Sequence, residues 1–333
     1  MGKAAAARKL ASAAAFGGGG LSVLGMSLYG VLRGEAALAR RVIGNAGDEP
    51  PPDSTGWYGR GRPGPAIKVA LLGDSSAAGY VVNRLVETTG AFFASGLAKQ
   101  ADRRVHLRTY AQVGAQSSDL EEQIDRALPN DPDLAVILIG ANDVTHRVRP
   151  SQSVRYLAES VRRLRAAGAH VLVGTCPDLG TVKPIPPPLR QVARSMSRRL
   201  AAAQAIVVVE SDGVAVSLGS ILGPDFAAAP AVLFGPDQFH PSAEGYRALG
   251  EVLVPSALNA LGFGTHDPHR RAPGEGTMPV AAAAVRAAKT PGTELGDKKG
   301  LWVELRRRAR LRSDPEAPAD VEQDADADAV SDA

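Results

Sequence analysis

The sequence predicts an α/β fold, a five-stranded parallel sheet covered on both faces as a three-layer α/β/α sandwich. Two observations predict it. Short apolar runs alternate with helical stretches of ten or more residues from Ile67 onward, and the first run, Ile67 to Leu72, ends at Gly73. Right-handed crossovers between parallel strands then place helices on both sides of one sheet.

The expected strands are Ile67 to Leu72, Val105 to Tyr110, Leu134 to Ile139, His170 to Val173 and Ile206 to Val209. The expected helices lie near residues 80–99, 117–128, 151–167 and 189–203, with a last one after Pro241, a residue suited to a first helical turn. Around this body, residues 1–44 form a basic flank and a candidate transmembrane or signal-anchor helix. Residues 45–65, with Pro50-Pro51-Pro52 and Pro63-Gly64-Pro65, read as a linker. Residues 66–262 form the α/β domain, and 263–333 a low-complexity tail.

The termini carry their own chemistry. Leu10 to Leu32 is 23 residues without a charge, after Lys3, Arg8 and Lys9. That length can span a bilayer as a helix, although its six glycines dilute the apolar character. A signal anchor, a cleaved signal peptide and an Ala/Gly-rich helix of a cytoplasmic protein are the three readings, and export or membrane anchorage is the favoured expectation. At the other end, Lys298 to Arg312 holds seven basic residues and one acid, with Leu301, Trp302, Leu305 and Leu311 interleaved. This stretch suits an amphipathic helix on a membrane surface, or a loose pairing with the acidic end. Ser313 to Ala333 holds eight acids and no base, a composition expected to be disordered.

Composition excludes several classes. A net charge of +3 is too small to argue for nucleic acid as a partner. The single cysteine, Cys176, excludes an intrachain disulfide and any multi-cysteine zinc site. His266 and His269 have metal-like spacing but no carboxylate company, so no metal is expected. Cys176 reads best as a small buried hydrophobe.

Three motifs sit where a parallel sheet gathers its reactive groups, at the carboxyl ends of strands. Gly73-Asp74-Ser75 ends the first strand and presents a serine before a helix, its N–H near a helix start. It is not the G-x-S-x-G elbow, because position 77 is alanine. Gly140-Ala141-Asn142-Asp143 follows the third strand and can send an amide donor into the same crevice. Asp237-Gln238-Phe239-His240 places a carboxylate and an imidazole three residues apart, so the acid can hold one ring nitrogen and leave the other as a base for Ser75. Each motif alone is more often a cap or a turn. Their joint occurrence, in this order, points to nucleophilic acyl transfer. Asp74 and Asp143 are expected to orient the loops that carry Ser75 and Asn142, and His146 to border the cleft or lie on a surface loop.

On these residues the chain resembles the SGNH (GDSL-type) hydrolases over roughly residues 67–260. The name-giving residues would be Ser75, Gly114 in Val113-Gly114-Ala115, Asn142 and His240. The resemblance implies a flavodoxin-like sandwich and a Ser75–His240–Asp237 triad. It also implies an oxyanion hole made by the N–H groups of Ser75 and Gly114 and the side chain of Asn142. Two departures, Ser76 where the family name has leucine and Ala141 in the asparagine block, touch no catalytic group. The expected function is hydrolysis of a carboxylic ester, from a small-molecule or lipid substrate, through an acyl-enzyme and without cofactor. The alternatives are O-acyl transfer or deacetylation on an envelope carbohydrate, and a silent carbohydrate- or lipid-binding module.

Overall fold

A computed structural model describes residues 29–39, 41 and 50–263 of the chain. The expected leader up to residue 28 lies outside the described residues, as do the tail histidines, the basic stretch and the acidic end. Residues 29–39 are helical (α1). They are followed by β1 (Gly56–Tyr58), β2 (Ile67–Gly73), α2 (Ser75–Ala78), α3 (Thr89–Ala101) and β3 (Val105–Thr109). Next come α4 (Leu120–Ala127), β4 (Leu134–Leu138), α5 (Ala141–Thr145), α6 (Pro150–Ala166) and β5 (His170–Gly174). The described body closes with α7 (Leu189–Glu210), β6 (Val214–Val216), α8 (Leu218–Ile221), α9 (Gly223–Ala228), α10 (Pro230–Leu233) and α11 (Ala243–Ala260).

The strands form one sheet in the order β1-β3-β2-β4-β5-β6. All neighbours are parallel except β1, which runs antiparallel to β3 at the edge. The central strands are buried on both faces, and their side chains alternate between two cores, as a period of two requires. Val69 and Leu71 of β2, with Leu134, Val136 and Leu138 of β4, enter the core beneath α3 and α11. Ala70 and Leu72, with Ala135 and Ile137, enter the core beneath α4 and α6. The three-layer sandwich expected from the sequence is therefore the observed class.

Two strands differ from expectation, each for a physical reason. Ile206 to Val209 is not a strand but the end of α7. The helix formers Ala201 to Ala205 run into it without glycine or proline, and only one side of the run is buried: Val208 is fully buried while Val209 is 41% exposed. The strand on that side of the sheet is Val214–Val216, after the turn at Gly213. At the other edge, part of the stretch read as a linker joins the sheet as β1. Tyr58 is buried there and its hydroxyl donates to the Ser54 carbonyl at 2.7 Å, while Trp57 stacks on His106 of β3. Among the described residues no helix is long and apolar enough to cross a membrane; of the uncharged run Leu10 to Leu32, only residues 29–32 are described, at the start of α1.

Candidate active site

Ser75 is the first residue of α2, directly after β2. Asp74 caps the helix, its Oδ1 accepting from Ser76 N–H at 2.9 Å. The strand end is held from both sides. Gly73 sits at φ +133, and a Cβ there would lie 1.9 Å from the Leu138 carbonyl oxygen, so no larger residue fits. Its N–H donates to Gln123 Oε1 at 2.7 Å, and its carbonyl accepts from Gln123 Nε2 at 3.0 Å. A second glutamine repeats the device next door: Gln204 accepts from Cys176 N–H and donates to the Ile139 carbonyl. Two buried amides thus satisfy strand-end backbone groups that the crevice would leave unpaired.

Asn142 lies in the first turn of α5, after β4. Its Nδ2 donates to the Ala115 carbonyl at 3.0 Å, which ties it to the loop of Gly114 and leaves the second amide hydrogen for another acceptor. Asp143, fully buried, fixes both ends of this junction. It accepts from the backbone N–H and hydroxyl of Ser117 and from the Ser153 hydroxyl at 2.7 Å. Gln112 N–H donates to the Gly73 carbonyl, so the Gly114 loop is also tied to the end of β2. Gly114 itself is exposed at φ +84.

Asp237 and His240 share one turn before α11, with Gln238 between them at φ +55. Asp237 Oδ1 accepts from the N–H groups of Phe239 and His240, each at 3.0 Å. Its Oδ2 lies 2.6 Å from His240 Nδ1. Burial raises the Asp237 pKa, but the hydrogen bonds from the His240 ring and the two N–H groups outweigh it, and the carboxyl is held below its usual range. With Nδ1–H donated to Asp237, Nε2 carries the free lone pair. Tyr80 and Phe239 meet the imidazole edge-on, 4.7 and 4.9 Å between ring centroids.

Ser75, Asn142 and His240 line one cleft. Asp237 stands behind His240, and Gly114 is outside the lining, one residue from the carbonyl that holds Asn142. His146 does not border the cleft; its Nδ1 lies 2.9 Å from the Asn142 carbonyl on its own helix. Cys176 is buried in the core, and burial pushes its thiol pKa well up, with the carboxylates of Asp74, Asp143 and Asp178 adding to the rise. Sequence reasoning missed Gln123, Gln204 and Tyr246. The Tyr246 hydroxyl, fully buried, donates to the Tyr80 carbonyl at 2.7 Å and lies 3.4 Å from the Ser75 carbonyl. The whole cleft, polar end and open mouth included, spans about 850 Å³. Its walls are apolar: Leu179, Val182, Leu218, Leu222, Phe226 and Phe234. Among the described residues no group of three or more histidine, cysteine or acidic side chains could hold a metal ion.

A strand-end serine and an Asp-held imidazole line one apolar cleft of an α/β sandwich, the arrangement that a serine hydrolase requires. The chain belongs to the GDSL-like lipase/acylhydrolase family, whose model matches residues 71–248, and it is an ester-hydrolysing enzyme of that family. It is 41% identical to the GDSL-like esterase Rv1075c of Mycobacterium tuberculosis, over 76% of this chain and 83% of that protein. Among solved structures it is similar to the psychrotrophic esterase EstA of a Pseudoalteromonas species (18% identity, TM-score 0.47, 58% of this chain and 98% of that one). It is also similar to the lipase/acylhydrolase of Enterococcus faecalis (20% identity, TM-score 0.46, 58% and 95%).

Proposed function

We propose that Ser75, His240 and Asp237 are the catalytic triad of a carboxylesterase whose substrate carries an apolar acyl group. The observation that supports it most directly is the 2.6 Å Asp237–His240 pair, with His240 lining the same cleft as Ser75. His240 Nε2 takes the proton of Ser75 Oγ as the oxygen attacks the ester carbonyl. The Ser75 and Gly114 N–H groups and the free amide hydrogen of Asn142 receive the oxyanion. The imidazolium, stabilised by Asp237, protonates the departing alcohol. His240 then draws a proton from water, which attacks the acyl-enzyme and frees the acid. No step in this scheme draws on a metal or nucleotide.

The walls from Leu179 to Phe234 suit a chain of methylenes, each worth about 0.8 kcal/mol when buried. The decisive experiment combines a fluorophosphonate probe with p-nitrophenyl esters of graded acyl length. Labelling and turnover in the native protein, both lost in Ser75→Ala, are expected. Unlabelled folded protein, or full activity in Ser75→Ala, would overturn the assignment. For localisation, membrane anchorage through the uncharged run Leu10 to Leu32 is the reading we favour; recovery of the full chain wholly in the soluble fraction would overturn it.

A further inference from the structure

The described chain begins with a helix that is seated beside the apolar cleft. The inner side of α1 packs on the body: Ala39 is 6% exposed and belongs to the same core as the cleft residues Leu179 and Val182. Glu35 reaches across to α7, its Oε2 accepting from Leu189 N–H at 2.8 Å. That carboxylate satisfies one of the unpaired N–H groups that open a 22-residue helix, where negative charge is favoured. Leu189 in turn ends the segment whose Leu179, Thr181 and Val182 form one wall of the cleft.

Among the described residues the outer side of α1 meets no such partner. Val31 and Leu38, seven residues apart and so on one flank, are 50% and 53% exposed; Tyr29, on the other flank, is 51% exposed and holds Arg33 on its hydroxyl and ring. Val192, in the first turn of α7, is 39% exposed. Charge on these segments is one-sided. Residues 29–39 and 178–198 contain Arg33, Lys183, Arg190, Arg194 and Arg198 against two acids, Glu35 and Asp178. Both acids are turned inward: Glu35 caps α7, and Asp178, 6% exposed, holds Arg194 and Arg198 at the cleft wall. The half-exposed guanidinium groups and the apolar side chains are what remains outward. Directly before this face the chain supplies the uncharged run from Leu10, whose last residues enter α1.

We propose that the outer face of α1 and the first turns of α7 dock on an anionic lipid bilayer, which sets the cleft wall Leu179–Val182 beside the lipid phase. Apolar side chains between cationic ones suit the headgroup boundary: the former enter the acyl region and the latter stay at the phosphates. The proposal rests on the acyl-ester reading, because it makes the bilayer the source from which the cleft draws its substrate.

The test uses the full chain and one introduced thiol. Cys176 is buried, so a fluorophore sensitive to polarity reports from Leu38→Cys, or from the control Asp131→Cys. Asp131, 83% exposed, precedes the central strand β4, at the amino ends of the strands and away from the carboxyl ends that carry the cleft. On adding vesicles that contain phosphatidylglycerol, the Leu38→Cys probe is expected to shift to the blue and to be quenched by a quencher carried on the acyl chains. The Asp131→Cys probe is expected to do neither. On pure phosphatidylcholine vesicles, which the run Leu10 to Leu32 can enter equally well, the Leu38→Cys shift is expected to be several-fold smaller, because only the docked face responds to headgroup charge. Equal responses at the two positions, no response at Leu38→Cys, or no preference for the anionic vesicles would overturn the proposal. So would a blue shift that appears without vesicles on raising protein concentration, which would assign the face to a second copy. The same labels in a Ser75→Ala background are expected to respond unchanged. Docking is thereby read independently of catalysis, and a failure of the triad assignment would leave it standing.

Discussion

Asp237 and His240 meet at 2.6 Å across a single turn whose other carboxylate oxygen is occupied by two backbone N–H groups. The acid is therefore rigid before the imidazole binds to it, and the ring has one tautomer to adopt. Asp237→Asn keeps the shape and removes the charge that stabilises the imidazolium. Its kcat is expected to fall by about three to four orders of magnitude with KM little changed. Because hydrogen bonding holds the native Asp237 pKa below that of the unfolded chain, the ionised form adds stability above the usual carboxylate range. That stability is lost as pH falls through the lowered value. Steady-state kinetics together with acid denaturation of the variant check both statements; a rate within tenfold of native would remove Asp237 from the triad.

Gly114 and Asn142 can be separated experimentally because they fail in different ways. No atom stands within 4 Å of a Cβ built on Gly114, and its N–H survives substitution. Gly114→Ala is expected to cost about 1–2 kcal/mol for the φ of +84 and to leave turnover within a few-fold. Asn142→Ala deletes the amide itself, and kcat is expected to drop by about 10²–10³. Loss of its bond to the Ala115 carbonyl adds about 1 kcal/mol of destabilisation. Denaturant melts and single-turnover rates on the two variants are the measurement. An undiminished rate in Asn142→Ala would mean that the amide only tethers the Gly114 loop.

What could be read from the sequence, and what could not, follows from the range of the forces involved. Ser75, Asn142 and the Asp237–His240 pair are legible because each stands at a strand end or within one turn, where local geometry dictates what a side chain can reach. The apolar runs of β2 and β4 are legible because burial on both faces leaves no polar position beyond Lys68 at the start of β2. The run Ile206 to Val209 was not, since a short apolar segment serves helix and strand alike and only the packing of α7 decides. β1 needs just three residues paired to β3, and prolines on either side hide it. Gln123 and Gln204 act across 50 and 65 residues of sequence, on Gly73 and Ile139. Their one local signal is a polar residue inside a buried helical stripe, Gln123 beside Leu120, Ile124 and Ala127.

Asp74 gives the stability of the site a pH dependence of its own. The side chain is wholly buried, and its pKa is pushed up to about 6. Burial outweighs the hydrogen bonds from Ser76 and the attraction of His240, while Asp143 adds to the rise. The unfolded carboxyl loses its proton near 3.8, so between that value and about 6 the folded state binds more protons and stability falls as pH rises. Across the window the fall amounts to about 3 kcal/mol. Asp74→Asn can still accept from the Ser76 N–H and carries no charge to bury. Relative to the native chain it is expected to gain stability at pH 8 and to lose that gain at pH 4. Urea titrations at the two pH values decide it, and a difference independent of pH would show that the cap, not the charge, dominates.

The acyl specificity of the cleft can be changed from the far wall without touching the triad. Gly223 opens α9 on the cleft lining, and a Cβ built there meets only Asp178 Cβ at 3.7 Å, an ordinary contact. A larger side chain therefore fits the backbone, beside Asp178 and on the same cleft lining as Leu222, Phe226 and Val182. In Gly223→Leu the added carbons occupy space that would otherwise bury two or more methylenes, at about 0.8 kcal/mol each. For esters with long acyl groups kcat/KM is expected to fall about tenfold or more, and for acetate esters to stay within twofold, since the polar end at Ser75 and Asn142 is unchanged. A series of p-nitrophenyl esters from acetate to decanoate, compared between native and variant proteins, is the measurement. A uniform loss across the series would place the acyl group elsewhere, and an unchanged profile would mean that the chain never reaches the wall formed by α9.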